Sequence, residues 1–243
     1  MARGIRSLAA SLLAATILLA GCSGPAAAPP APERAAPDAG IQLFQLPWNS
    51  IADECENTLG PNGIAWVLTS PPQEHIISDE WWVSYQPVSY QLESRLGTRQ
   101  EFADMVTRCG SAGVDIIADA VINHMTGQDA PGTGWVGSAY EHYEYPGLYT
   151  DTDFHHCGLI GNDDIADYDS AAQVQSCELV NLADLDTASP SVRETIDAYL
   201  DDLLSLGVAG FRIDAAKHMA SDDVAAIASA LPQGTRIMSE VIR

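Results

Sequence analysis

Short apolar runs alternate with helix-spaced apolar stripes over most of this chain, and that alternation limits its possible folds more than any other feature. Residues 41–46, 64–68, 114–122, 208–213 and 236–241 read as strands. Between them, residues 50–59 place Ile51, Cys55 and Leu59 four apart, as a helix requires, and Gly60-Pro61-Asn62-Gly63 breaks the pattern. Residues 98–110 open on a Thr98/Glu101 capping box and put Phe102, Met105, Val106 and Cys109 on one face. A third helix is expected to be capped by Ser191 and Glu194. Its stripe of Val192, Ile196, Tyr199, Leu200, Leu203 and Leu204 ends at Gly207. A fourth carries Val224, Ile227, Ala228 and Leu231 and stops at Pro232.

Repeated strand–helix units predict an α/β fold with a parallel sheet, either doubly wound or a barrel. Residues 125–185, rich in Gly, Asp, Tyr and His, are too long for an ordinary connection and read as an irregular subdomain inserted after the third strand. Polar residues at the strand C-termini favour the barrel, because the loops at that face of a TIM (β/α)8 barrel carry its chemistry. Only five strands are present where a barrel closes with eight, so the expectation is five N-terminal βα units of an incomplete barrel. The organisation is then a signal segment at 1–21, a tether at 22–40, barrel at 41–124, the insert at 125–187 and barrel strands four and five at 188–243.

The signal segment rests on Arg3 and Arg6 ahead of an apolar stretch over residues 8–20, too short to span a bilayer. It ends in Leu19-Ala20-Gly21-Cys22, which resembles a bacterial lipoprotein signal with Cys22 as the lipidated residue. Five prolines between residues 23 and 40 make the next segment a tether. These features predict an exported chain, lipid-anchored at a bacterial cell surface or secreted, that meets the membrane only through its N-terminal lipid. The net charge of −22 excludes nucleic acid as a partner and is compatible with a neutral substrate. Beyond Cys22, Cys55, Cys109, Cys157 and Cys177 form an even set, as two disulfides would. Three pairings are possible, and proximity favours Cys157 with Cys177.

The third strand ends in Asp119-Ala120-Val121-Ile122-Asn123-His124, the fourth in Arg212-Ile213-Asp214-Ala215-Ala216-Lys217-His218, and the fifth in Ser239-Glu240. Period-two alternation puts Arg212 and Asp214 on one side of their strand. Asp214 and Glu240 on neighbouring strands are candidates for the carboxylate pair, about 5–5.5 Å apart, of a retaining glycoside hydrolase. Arg212 is expected to favour the ionised form of Asp214, as a nucleophile needs, and Glu240, less well paired, to hold a proton near neutral pH.

These three strand ends resemble motifs of the α-amylase family of glycoside hydrolases. Trp81-Trp82-Val83-Ser84-Tyr85-Gln86-Pro87 and Gly207-Val208-Ala209-Gly210-Phe211-Arg212-Ile213-Asp214 are similar to its animal-type branch, and the resemblance covers residues 41–243. It implies endo-hydrolysis of α-1,4-glucosidic bonds in starch or glycogen with retention, by a monomer, with Asp214 as nucleophile and Glu240 as acid/base. Arg212 would orient the nucleophile and contact a chloride ion, and Asp119 would be a structural aspartate beneath the site. Trp81, Trp82, Tyr85, Gln86, His124, Tyr168, Lys217 and His218 would contact the glucan. A structural Ca²⁺ would lie on the side chains of Asn123 and Asp184 and the main-chain oxygens of Gln175 and His218, an all-oxygen set that suits it. The pairs Cys55–Cys109 and Cys157–Cys177 match family disulfides, whereas Glu93 stands near a family cysteine, so one further bridge is absent. The family's third catalytic aspartate follows a later strand, so these 243 residues alone are expected to be unstable and inactive. A related glucan transferase or oligosaccharide hydrolase, or a glucan-binding surface lipoprotein without catalysis, are the alternatives.

Overall fold

The computed structural model describes residues 39–242. The signal segment, Cys22 and nearly all of the tether lie outside the described residues. Five parallel strands form one sheet in sequence order: β1 (Gly40–Leu43), β2 (Trp66–Thr69), β3 (Asp115–Ala120), β4 (Gly210–Ile213) and β5 (Arg236–Ser239). Neighbouring parallel strands in sequence order are the arrangement of a TIM barrel wall. Here β1 and β5 each have a single neighbour, so the barrel is not closed. From Ile116 to Ala120, β3 is buried without interruption, as expected of a parallel strand covered on both faces.

Helices α1 (Trp48–Glu54), α2 (Arg99–Ser111), α3 (Pro190–Ser205) and α4 (Ser221–Ala230) supply the cover. The expected capping box at Thr98 and Glu101 is present, and α2 buries the four predicted residues Phe102, Met105, Val106 and Cys109. Helix α1 begins at Trp48, two residues before the expected start, and widens at Cys55 into a π-helical turn running to Leu59. Ser191 does not cap α3. The helix starts at Pro190, whose missing N–H is no loss at a first helical position, with Ser189 ahead of it. Ser191 donates instead to Asp153 of the insert. The stripe of α3 buries Val192, Ile196, Tyr199, Leu200 and Leu203 against the core, with Leu204 half-buried beside it.

Both expected disulfides are present. Cys55–Cys109 ties the end of α1 to the last turn of α2, and Cys157–Cys177 closes a loop of the insert. The insert holds a two-stranded hairpin (Gly132–Thr133 with Ala139–Tyr140) and a four-residue helix, Ala171–Val174, and is otherwise irregular. It returns to the barrel where Asp184 bridges His124 and Leu185 donates to the Asn123 carbonyl. Gly210 sets the spacing of β4 and β5, because a Cβ there would lie 2.2 Å from the carbonyl oxygen of Arg236. The site depends on that spacing, since its acidic residues stand at the far ends of these two strands.

Candidate active site

The register places Asp119 of β3 directly opposite Arg212 of β4, and Ile213 opposite Ser239 of β5. Asp214 and Glu240 therefore emerge side by side at the C-terminal edge of the sheet, and the Glu240 N–H donates to the Ile213 carbonyl. Immediately after Asp214, Ala215 adopts a left-handed conformation (φ 49°). Such strain collects at functional sites, and here it aims the Ala215 N–H at Glu240 Oε2, 2.9 Å away.

Arg212 organises the site. Its Nη1 donates to both oxygens of Asp119, at 2.6 and 2.7 Å, and to Asp214 Oδ1 at 2.8 Å. Its Nη2 lies 2.7 Å from Glu240 Oε1. The expectation that Glu240 is the less well paired carboxylate is corrected by this contact, since one guanidinium serves three acids. Arg212 favours the ionised form of Asp214, as expected, but the net shift is upward. Burial pushes its carboxyl up to about 6, Arg212 pulls it back, and the Glu240 charge raises it further. Burial and the Asp214 charge likewise push Asp119 up to about 7 against the pull of Arg212. Loss of hydration outweighs the single cation because three acids divide it. Asp214 is still ionised at neutral pH.

Tyr85 donates to Asp119 Oδ2 at 2.9 Å, and burial raises its hydroxyl well above the ordinary value. Fully buried His124 bonds the Tyr85 carbonyl through Nε2 at 3.0 Å. Because a carbonyl only accepts, Nε2 carries the proton, and burial lowers the ring to about 4, so the imidazole is neutral. His124 thus lies beneath the site and holds its wall.

That wall is a cleft of about 450 Å³ lined by Trp81, Trp82, Tyr85, Arg212, Asp214 and Glu240, as expected, and also by Gln42, Phe44, Leu179 and Leu182. Trp81 is 53% exposed and packs edge-on against Phe44 and Tyr85. A second hollow of about 280 Å³ shares Leu179, Ala215 and Glu240 with it and adds Lys217 and His218. The Gln86 side-chain oxygen faces the insert and accepts from the Thr126 hydroxyl and the Gly127 N–H. Tyr168 stands exposed in the insert and is not among the residues lining the cleft. Phe44 was within reach of sequence reasoning, since it follows a strand whose neighbours end in functional residues. Leu179 and Leu182 carried no such signal. They flank a turn in which Val180 and Asn181 are both left-handed (φ 50° and 64°), which is unusual for the β-branched Val180.

The expected calcium ligands come together in part. Asn123 Nδ2 donates to Asp184 Oδ1 at 3.2 Å, and Asn123 Oδ1 is buried with no partner, so an oxygen is free for a cation. His218 Nδ1 bonds the Val174 carbonyl, which brings the turn after β4 against the segment containing Gln175. Among the described residues no three His, Cys, Asp or Glu side chains cluster as a metal site. The set on hand has one acid and otherwise amide and main-chain oxygens, which fits a hard cation. A chloride ion would have to share Arg212 with Asp119, Asp214 and Glu240, which already lie against its two terminal nitrogens.

A parallel sheet in sequence order, bearing two acids and an arginine at its C-terminal edge under a wall of exposed aromatic residues, defines part of a TIM barrel with its site at the strand C-termini. The alpha-amylase catalytic-domain model matches residues 67–237, and the chain belongs to the alpha-amylase family. It is 50% identical over 242 residues to an alpha-amylase of Thermomonospora curvata, covering 94% of this chain and 39% of that one. It is 49% identical over 197 residues to an alpha-amylase-related protein of Drosophila ananassae, covering 79% of this chain and 39% of the relative. Among solved structures, alpha-amylase I of Eisenia fetida in complex with maltohexaose superposes with a TM-score of 0.81 at 38% identity, over 84% of this chain and 45% of that one. The chain therefore spans well under half the length of these relatives.

Proposed function

We propose that this chain carries the nucleophile and the acid/base of a retaining endo-hydrolase of α-1,4-glucosidic bonds in starch and glycogen. The observation that carries the reading is the sharing of Arg212 by Asp214 and Glu240 at neighbouring strand ends, on the floor of the aromatic cleft. Ionised Asp214, held by Arg212, attacks the anomeric carbon. Glu240 gives its proton to the departing glycosidic oxygen, and the glucosyl ester on Asp214 forms as the C–O bond breaks. Glu240 then takes a proton from water, which displaces Asp214 and releases a product of retained configuration. Trp81, Trp82 and Tyr85 stack on the sugars, Lys217 and His218 contact the glucan on the side of their hollow, and Tyr168 joins them from the insert.

A Ca²⁺ on Asn123, Asp184 and the main-chain oxygens of Gln175 and His218 would fasten the insert to the barrel when bound. The whole is a monomer, exported and lipid-anchored through Cys22. Growth with an alkyne fatty acid would label the wild type and leave a Cys22→Ala variant unlabelled.

Residues 41–243 in isolation are proposed not to turn glucan over, since the sheet they form is open. The test is a chimaera in which they replace the matching part of the Thermomonospora curvata relative. It should release reducing ends from starch, and Asp214→Asn should lower kcat at least about a thousandfold, or ~4 kcal/mol, with glucan binding retained. Full activity in that variant sinks the assignment.

A further inference from the structure

Trp135 belongs to no part of the site above, yet 43% of its surface is exposed on a loop built to keep it there. The loop joins the two strands of the insert's hairpin. Its grip is the carboxylate of fully buried Glu74, which accepts from the N–H groups of Val136 (2.9 Å) and Ser138 (3.3 Å) and from the Ser89 hydroxyl (2.5 Å). Gly137, at φ +98°, closes the turn back onto the Gly134 carbonyl. Trp135 itself donates its N–H to the His75 carbonyl, and its ring rests on the buried His75 imidazole with centroids 5.6 Å apart. That imidazole is fixed at both ends, Nδ1 donating to the Ile76 carbonyl and Nε2 accepting from the Arg95 N–H. A carboxylate is buried and a histidine locked so that an indole stands rigidly in water, which is costly unless something covers the indole.

We propose that Trp135 is a separate stacking platform for an α-glucan chain, extending the track of Trp81 and Trp82 along the same face; this rests on the functional reading above. The loops bearing His75 and Trp135 follow the C-terminal ends of the adjacent strands β2 and β3, the end where Asp214 and Glu240 stand. The connection is continuous: His75 bonds Arg95, whose Nη1 donates to the Glu80 carbonyl at 3.0 Å, and Glu80 precedes Trp81. The loop Gly132-Thr133-Gly134-Trp135-Val136-Gly137-Ser138-Ala139-Tyr140 has no charged residue, so its ligand is neutral. The apolar face of a hexose fits a fixed indole, and little side-chain freedom is lost on binding.

Affinity electrophoresis of the full chain through gels containing soluble starch tests this, with maltotriose binding followed by tryptophan fluorescence. Trp135→Ala is expected to weaken apparent starch affinity about three- to tenfold, to leave maltotriose affinity and the melting temperature unchanged, and to be largely rescued by Trp135→Phe. Wild-type starch retention in Trp135→Ala would overturn the proposal and leave the functional reading standing. So would an equal loss toward maltotriose, or a loss explained by unfolding. A wild-type chain that starch does not retard would overturn both.

Discussion

Arg212 Nη2 lies 2.7 Å from Glu240 Oε1, so the arginine that strand pairing sets against Asp119 also reaches across to the fifth strand. One cation thereby holds the acids of three neighbouring strands, and several consequences are measurable.

Removing Arg212 leaves two buried carboxylates and a half-buried one with no cation among them. Breaking a buried ion pair by deleting one partner costs about 3–5 kcal/mol. Arg212→Ala should lower the urea midpoint accordingly, and Arg212→Lys, a point charge without the planar fork, should fall between the two. An unchanged midpoint contradicts the assigned role.

Stability should depend on pH through Asp119. Its folded value is near 7 and a free aspartate titrates near ~3.9. Between these values the folded chain holds more proton than the unfolded one, so this group's contribution is fully present below the lower value and is lost as pH rises through the upper one. Asp119→Asn removes the titration. Denaturation at stepped pH should show the wild type losing stability relative to the variant from about pH 4 to about pH 7, and no further change above. A wild type that gains stability relative to the variant as pH rises contradicts this.

Val180 stores strain. A β-branched residue in the left-handed region costs on the order of 1–3 kcal/mol, and its side chain is 74% exposed, so little burial is lost with it. Glycine gives back roughly 0.5–1 kcal/mol in chain entropy. Val180→Gly should therefore raise stability by about 1 kcal/mol in a melting experiment, and a decrease would show that the side chain is packed.

The two disulfides close loops of different length, 54 and 20 residues apart in sequence. Chain entropy assigns about 4 kcal/mol to Cys55–Cys109 and about 3 kcal/mol to Cys157–Cys177. Double serine variants at each pair, compared by urea denaturation, should keep that order.

Much of this was legible beforehand. The five strands, the α2 capping box and the insert follow from apolar period and turn chemistry, which act locally. The start of α3 was misplaced because Ser191 and Glu194 have the spacing of a capping box, while Pro190, which needs no N–H partner, set the real start. Asp119, Arg212, Asp214 and Glu240 were recognisable as polar strand ends. Their electrostatics were not, because the balance between burial and one shared guanidinium depends on distances that sequence does not contain. Leu179 and Leu182 entered the cleft unannounced for a similar reason, since the Val180–Asn181 turn that presents them is held by Asp164, Gly127 and Asp129, far off in sequence.

In the proposed mechanism Asp214 forms the covalent bond to the sugar. The chimaera with the Thermomonospora curvata relative, treated with a fluorinated α-glucosyl donor that slows release of the intermediate and then digested for peptide mass spectrometry, tests it directly. One glycosyl adduct is expected, on the peptide bearing Asp214. An adduct on the peptide bearing Glu240, or none while the chimaera turns over starch, would contradict it.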